Sequence, residues 1–205
     1  MKQYVMEFIG TLFLVLAVGL TGNPIAIGVT LAAMVYMGAN ISGAHYNPAV
    51  TVAIWLRGKL KKSEIPRYVL AQLLGAVTAS VIIIFVGETF IPEPAFNITF
   101  WQAILIEILF TFALASVILT VATSNKFKGN YIYGLAIGLT LAAGAFVGGP
   151  ISVGVYNPAV GLGPIILSLI LGNSYPINLI ILYTIGPLTG GILAAIIFKY
   201  LNPKE

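Results

Sequence analysis

Five side chains stand out for their type and placement: Glu7, His45, Asn47, Glu107 and Asn157. Glu7 and Glu107 are carboxylates inside long apolar runs. An ionisable group in such a run is a functional candidate, as a proton or ion relay or as a fixed hydrogen-bond acceptor. The chain has one histidine and no cysteine. That excludes a thiol nucleophile, a thiolate metal site and a multi-histidine metal centre. No nucleophile stands with a base, and no glycine-rich phosphate loop occurs. The residues therefore imply no enzyme, no catalytic residue, no metal and no cofactor.

Asn47 and Asn157 belong to a repeated tripeptide. Asn47-Pro48-Ala49 and Asn157-Pro158-Ala159 each close a long apolar segment, and each is followed by valine. Asparagine is a strong helix N-cap and proline is preferred at the first helical position. Each tripeptide predicts a helix start. One copy alone is an ordinary capped helix. Two copies at matching places in two halves of the chain are far more specific.

The elements that position these residues belong in lipid. The chain is 59% hydrophobic and only 8% charged, where soluble domains carry roughly 25% charged residues. A spanning helix needs about 20 mostly apolar residues. Six candidates occur, at about 4–21, 24–42, 66–87, 101–123, 131–149 and 177–200. Two further apolar segments, about 47–57 and 157–170, are too short. Pro48 to Arg57 gives about 15 Å of helix, half of a hydrocarbon core of about 30 Å. Both read as re-entrant half-helices. The fold class is an all-α membrane protein of six transmembrane helices and two half-helices.

With six spans, all ten Lys and Arg residues fall on one side. The positive-inside rule makes that side cytoplasmic, with both termini, and the protein multi-pass in the cell (plasma) membrane. The pI near 9.3 then reflects topology rather than a nucleic-acid partner. Met1-Lys2 before an apolar run resembles a signal peptide. Glu7 interrupts that run and no small-residue cleavage site follows, so the segment reads as a retained first helix. Tyr4, Trp55, Tyr68, Trp101, Tyr131 and Tyr200 lie near span ends and read as interfacial anchors.

The chain repeats itself. Glu7 to Thr11 resembles Glu107 to Thr111, Ala26 to Thr30 resembles Ala136 to Thr140, and Ala71 to Gly75 corresponds more weakly to Gly186 to Gly190. Residues 1–99 and 100–205 thus form two repeats of one channel domain, each with three spans and a half-helix. An odd span count inverts the second copy. Half-helices meeting near the midplane are a recurrent plan for transport sites.

The paired Asn-Pro-Ala motifs, the Glu-led opening of each half, His45 before the first motif, Ala71-Gln72-x-x-Gly75 and Gly186-Pro187-x-x-Gly190-Gly191 resemble the aquaporin and glycerol-facilitator (major intrinsic protein) family. The resemblance covers nearly the whole chain. It implies a passive channel for small neutral solutes, water among them, in a bilayer-embedded homotetramer with one pore per subunit. The physical reading agrees. Each half-helix N-terminus carries about half a positive charge, and two facing one point oppose cations. Each asparagine oxygen caps its helix, leaving the side-chain NH₂ free to donate to a solute. Gly43, Ala44 and His45, with Val153, Gly154 and Val155, are non-helical and expose a ladder of carbonyls. Such backbone is tolerated at this depth only where it is buried in protein or lines a water-filled cavity. Glu7 and Glu107, helped by Gln72, read as loop supports. His45 is either a vestibule or gating residue or a histidine bonded to nearby backbone.

The chain departs from the family at one point. The residue after the second motif is usually arginine; here it is Val160. Counting from the motifs as the resemblance directs, the constriction is Ile27, Ala145, Gly154 and Val160. It holds no charge and no side-chain hydrogen-bond group, which makes this an atypical compact member. Pro164 withholds an N–H from the Val160 carbonyl. A wide apolar constriction favours glycerol-like polyols, urea, ammonia, hydrogen sulfide or dissolved gases, with water passing slowly. Two rivals stand: an ion- or proton-coupled transporter using Glu7 and Glu107, and a non-conducting structural protein of the same fold.

Overall fold

The computed structural model describes residues 1–205. It holds eight α-helices and two short 3-10 turns, with no strand. In chain order the helices are α1 (Lys2–Thr21), α2 (Pro24–Ser42), α3 (Pro48–Leu56), α4 (Ile65–Phe85), α5 (Phe100–Thr123), α6 (Tyr133–Ser152), α7 (Pro158–Ile170) and α8 (Ile177–Leu201). Six are long and apolar enough to cross a membrane. The short ones are α3, with 9 residues, and α7, with 13. Each half therefore runs long, long, short, long.

The boundaries follow from local chemistry. Asn23 Oδ1 accepts from the Ile25 and Ala26 N–H groups ahead of Pro24, starting α2. Thr99 and Gln102 form a reciprocal capping box at α5. Gly22 and Gly43 adopt left-handed conformations that end α1 and α2. The sequence places α6 about two residues early and stops it at 149; the helix runs on to Ser152 despite Pro150.

Small residues let the helices touch. Where α2 crosses α6, a Cβ on Gly28 would lie 2.5 Å from the Gly138 carbonyl. Gly75 of α4 faces the Phe8 carbonyl of α1, and Gly190 of α8 faces the Ile108 carbonyl of α5, with no room for a side chain at either. In lipid such close packing replaces the hydrophobic drive. The short helices lock across the halves: Gly163 of α7 abuts Ala76 of α4, and Gly191 of α8 abuts the Ala49 carbonyl of α3.

Polarity is inverted relative to a soluble protein. Glu7, Thr11, Gln72, Glu107, Thr111 and Ser152 are fully buried, while Val29, Leu70, Leu105, Leu109, Leu139 and Ile196 are exposed. The exposed apolar shell suits hydrocarbon; Glu7 accepts from Gln72 and Glu107 from Ser152, while the Thr11 and Thr111 hydroxyls have no partner.

The basic residues gather at one end of the bundle. Arg57 after α3, Ser124 after α5 and Glu205 after α8 meet there. The Arg57 guanidinium donates to the Glu205 side chain at 3.2 Å and backbone carbonyl at 2.7 Å, and lies 4.9 Å over the Phe198 ring. Ser124 Oγ donates to the same carboxylate at 2.8 Å. Tyr4 donates to Glu64, which also pairs with Arg67. At the other end the 86–99 segment packs on α6 through Ala95 N–H to the Ile151 carbonyl.

One sequence expectation is corrected. Tyr68 is not an interfacial anchor: it is buried, and its hydroxyl donates to the Ser42 carbonyl at 2.8 Å. Tyr183 does the same for Ser152 in the second half, at 3.0 Å. Trp101, Tyr131 and Tyr200 are exposed near helix ends.

Candidate functional site

The N-termini of α3 and α7 meet inside the bundle. Asn47 Oδ1 accepts from the Ala49 N–H at 2.8 Å, and Asn157 Oδ1 from the Ala159 N–H at 2.9 Å. Each side-chain NH₂ crosses to the opposite loop: Asn47 Nδ2 donates to the Tyr156 carbonyl and Asn157 Nδ2 to the Tyr46 carbonyl, both at 2.9 Å. This corrects the expectation that both hydrogens are free. One N–H of each amide ties the half-helices together, and one remains for a solute.

The loop before each motif bends sharply. Gly43, Ala44 and Tyr46 have positive φ in the first, and Val153, Gly154 and Tyr156 in the second. Non-glycine residues rarely adopt this conformation, and it persists only where surroundings over-determine it. Glu7 supplies one determinant. Its Oε1 accepts from Ser42 Oγ at 2.6 Å and the His45 N–H at 2.9 Å. Its Oε2 accepts from the Tyr46 N–H at 2.6 Å and Gln72 Nε2 at 2.8 Å. Glu107 repeats the pattern with Ser152 Oγ, the Val155 N–H and the Tyr156 N–H at 2.7, 2.9 and 2.6 Å. No second glutamine attends it; the position matching Gln72 is Pro187.

Tyrosines supply the other determinant. Tyr46 fills a notch left by Gly10 and Gly38, and its hydroxyl donates to the Met34 carbonyl at 2.9 Å. Tyr156 fills a notch beside Gly144 and Gly148, and its hydroxyl donates to the Gly144 carbonyl at 2.8 Å. The sequence reading missed both. Tyrosine precedes each Asn-Pro-Ala and paired small residues recur on the helices they enter, but only the fold brings the two together.

A narrow cavity of about 30 Å³ runs past the meeting point. Its walls come in pairs related by the repeat: Leu14 with Leu114, Ile27 with Ile137, Val50 with Val160. Ala44, His45, Val153, Gly154 and Val155 line it, as do Asn47 and Asn157. Gly43 instead lines a second opening at the basic end, with Asn40, Ser124 and Tyr133. Ala145 lines a vestibule at the other end. Ile27 lines both that vestibule and the central cavity, as do Val153 and Val18; the sequence reading did not place Val18 there. Glu7, Glu107 and Gln72 do not line the cavity. They sit behind the loops.

His45 is bonded to a side chain, not to the nearby backbone that the plain reading expects: Nδ1 lies 3.2 Å from Thr51 Oγ1. Pro164 stands inside α7 and leaves the Val160 carbonyl without its usual helical donor.

Residues 1–198 match the pattern of the family described as major intrinsic protein. Aquaporin AqpM of Methanothermobacter marburgensis is 33% identical over 242 residues, covering 99% of this chain and 98% of that protein. Nodulin-26 of Glycine max is 34% identical over 219 residues, covering 98% and 78%. The X-ray structure of the aquaglyceroporin from Plasmodium falciparum superposes with a TM-score of 0.87 over 98% of this chain and 97% of that one. At 24% identity it speaks to the fold alone. With its two abutting half-helices inside six spans, this chain belongs to the major intrinsic protein family, whose members are membrane channels for small solutes and not enzymes.

Proposed function

We propose that the chain conducts small uncharged solutes passively through the central cavity and rejects ions at the paired Asn-Pro-Ala motifs. The observation that carries this reading is the cavity itself. It passes between two helix N-termini, and neither a carboxylate nor a cationic Lys or Arg lines it. The facing dipole ends disfavour cations. The remaining N–H of Asn47 and of Asn157 offers donors to a solute oxygen. Ile27, Ala145, Gly154 and Val160 form the constriction in this reading, and the 43–45 and 153–155 carbonyls supply acceptors along the path.

The apolar lining supports glycerol-like polyols, urea, ammonia and dissolved gases over strict water selectivity. Plain apolar narrows shed water. The burial of Glu7 and Glu107 behind the loops, with both oxygens of each in use, supports loop support over a relay. The same reading takes residues 1–99 and 100–205 as inverted repeats of one channel domain. It puts the basic end and both termini in the cytoplasm, and the protein in the plasma membrane as a homotetramer.

Stopped-flow light scattering of proteoliposomes under water, glycerol, urea and ammonia gradients tests it. Solute flux should be equal with and without a proton or sodium gradient. Flux that requires either gradient returns the coupled-transporter reading. Absence of flux for every solute leaves only the non-conducting one.

A further inference from the structure

The polar network of the first half contains something the second half lacks. Loop support is duplicated: Glu7 and Glu107, Ser42 and Ser152, Tyr46 and Tyr156 make the same bonds. The cluster of His45, Thr51 and Gln72 is not. The matching positions are Val155, Gly161 and Pro187. Since the second loop holds its shape without such a cluster, holding the loop does not explain it.

The bonding fixes how the histidine presents itself. Gln72 Nε2 donates to Glu7 at 2.8 Å and to Thr51 Oγ1 at 3.0 Å. Its amide orientation is set, because the flipped form would place an oxygen against a carboxylate. Thr51 Oγ1 donates to the Asn47 carbonyl at 3.0 Å. A hydroxyl has one hydrogen and two lone pairs. The hydrogen is used on Asn47, and Gln72 takes one lone pair. The other faces His45 Nδ1 at 3.2 Å, so Nδ1 carries the proton. Nε2 is then a bare acceptor, with no partner in the protein. The ring is only 6% exposed and lines the central cavity. A Cβ on Gly43 would lie 3.2 Å from Nε2, and Gly43 lines the basic-end opening. The lone pair therefore stands where the cavity meets that opening.

We propose that His45 Nε2 is a solute-binding acceptor, selecting neutral molecules that carry O–H or N–H donors, such as polyols and ureas, as they pass the basic end. The proposal rests on the channel reading and names the solute class. Thr51 and Gln72 are positioning residues that fix the Nδ1–H tautomer. In an apolar pore such an acceptor replaces part of a solute's lost hydration; a solute without donors gains nothing from it.

Because the chain has one histidine, ¹⁵N-histidine labelling of the protein in bilayers reports this ring alone. Nδ1 should show the protonated signature and Nε2 the unprotonated one. Nε2 should shift on adding glycerol or urea and stay put with dimethyl sulfoxide, which only accepts. Stopped-flow flux adds a second readout. His45→Asn keeps a donor near Nδ1 and deletes Nε2, and should lower glycerol and urea flux roughly two- to tenfold, the weight of one hydrogen bond. His45→Gln returns an acceptor near Nε2 and should recover most of that loss. An Nε2–H tautomer, an Nε2 signal blind to glycerol and urea, or wild-type flux in His45→Asn overturns the proposal. If His45→Asn does not fold, the wild-type spectra decide alone. Wild-type vesicles with no flux at all would sink the channel reading; an unresponsive Nε2 beside normal flux sinks only this one.

Discussion

Glu107→Gln and Glu7→Gln make the same chemical change, yet the structure predicts different outcomes. A glutamine at 107 keeps one carbonyl-type oxygen, enough for Ser152 Oγ and the Val155 N–H. Its NH₂ then faces the Tyr156 N–H, which loses a 2.6 Å bond and finds no other acceptor. An orphaned buried donor costs about 1–3 kcal/mol. At position 7 the new NH₂ likewise faces the Tyr46 N–H, but it also faces Gln72. Gln72 Oε1 is buried without a partner. A flip of the Gln72 amide would give the new NH₂ an acceptor but would break the Gln72–Thr51 bond and leave the Gln72 NH₂ without a partner, so Glu7→Gln loses one bond more than Glu107→Gln either way.

Neutralising a buried carboxylate is common to both variants, so the difference between them isolates Gln72. Glu7→Gln should be less stable than Glu107→Gln by about 1 kcal/mol, and Gln72→Leu in the Glu7→Gln background should erase that margin. Denaturant unfolding in detergent, followed by helical circular dichroism, measures it. Equal stability of the two single variants, or the reverse order, refutes the assignment of Gln72. Folded Glu107→Gln should also conduct without gradient coupling. A folded variant whose flux is abolished would return Glu107 to the role of a carrier.

Three further outcomes follow from named contacts. Val160 is 2% exposed against the cavity, and Val160→Arg should lower glycerol and urea permeability at least about tenfold, a barrier rise of about 1.4 kcal/mol; unchanged flux would remove Val160 from the constriction. Gly38→Ala and Gly148→Ala drive a methyl into the Tyr46 and Tyr156 hydroxyls, and each should cost about 1–3 kcal/mol or more by overpacking, read as a lower unfolding midpoint that Tyr→Phe at the facing position partly restores. Hydrogen bonds from the Ser124 hydroxyl and the Asn125 backbone, and after them the Arg57 charge, hold the Glu205 carboxyl below its ordinary range. A depressed carboxylate stabilises the fold above its unfolded value of about 4.3, and that contribution is lost as pH falls through the lowered value. The Arg57–Glu205–Ser124 tie should therefore survive pH 5 and open only in stronger acid, seen as proteolysis near the end of α8; opening already at pH 6 would break the argument.

Span count, half-helices and repeat were legible because lipid imposes them on the sequence. Every backbone group must be satisfied within its own segment, so long apolar runs and Asn-Pro starts read directly as elements. The two carboxylates were legible as a pair because burial makes them conspicuous. The tyrosines were not. Tyr68 sits near a span end, where an anchor is the default, and only the fold brings the Ser42 carbonyl to its hydroxyl. Tyr46 and Tyr156 enter notches formed by glycines on other helices, and sequence alone gives no distance between them. The crossed Asn47 and Asn157 amides were hidden for the same reason: each acceptor lies on the opposite loop, more than a hundred residues away.

The repeat separates the bonds that both halves share from those that only one half makes. Bonds found in both halves build the scaffold: Glu to loop, Tyr to notch, Asn to opposite loop. Beside the cavity, the side-chain bonds made in one half alone are those of His45, Thr51 and Gln72. The far end goes the other way. Val160 replaces the family's usual charge with a copy of Val50, so the lining becomes more symmetric and more apolar there. In the proposed reading, polarity missing at Val160 is met by polarity around His45, towards the basic end. On this argument, selection among neutral solutes shifts from the constriction to the histidine. A Val160→Arg, His45→Asn double variant should then show which end dominates. If discrimination between glycerol and a donor-free solute tracks position 45 regardless of position 160, selection resides at the basic end; if it tracks 160 alone, the asymmetry has no functional weight.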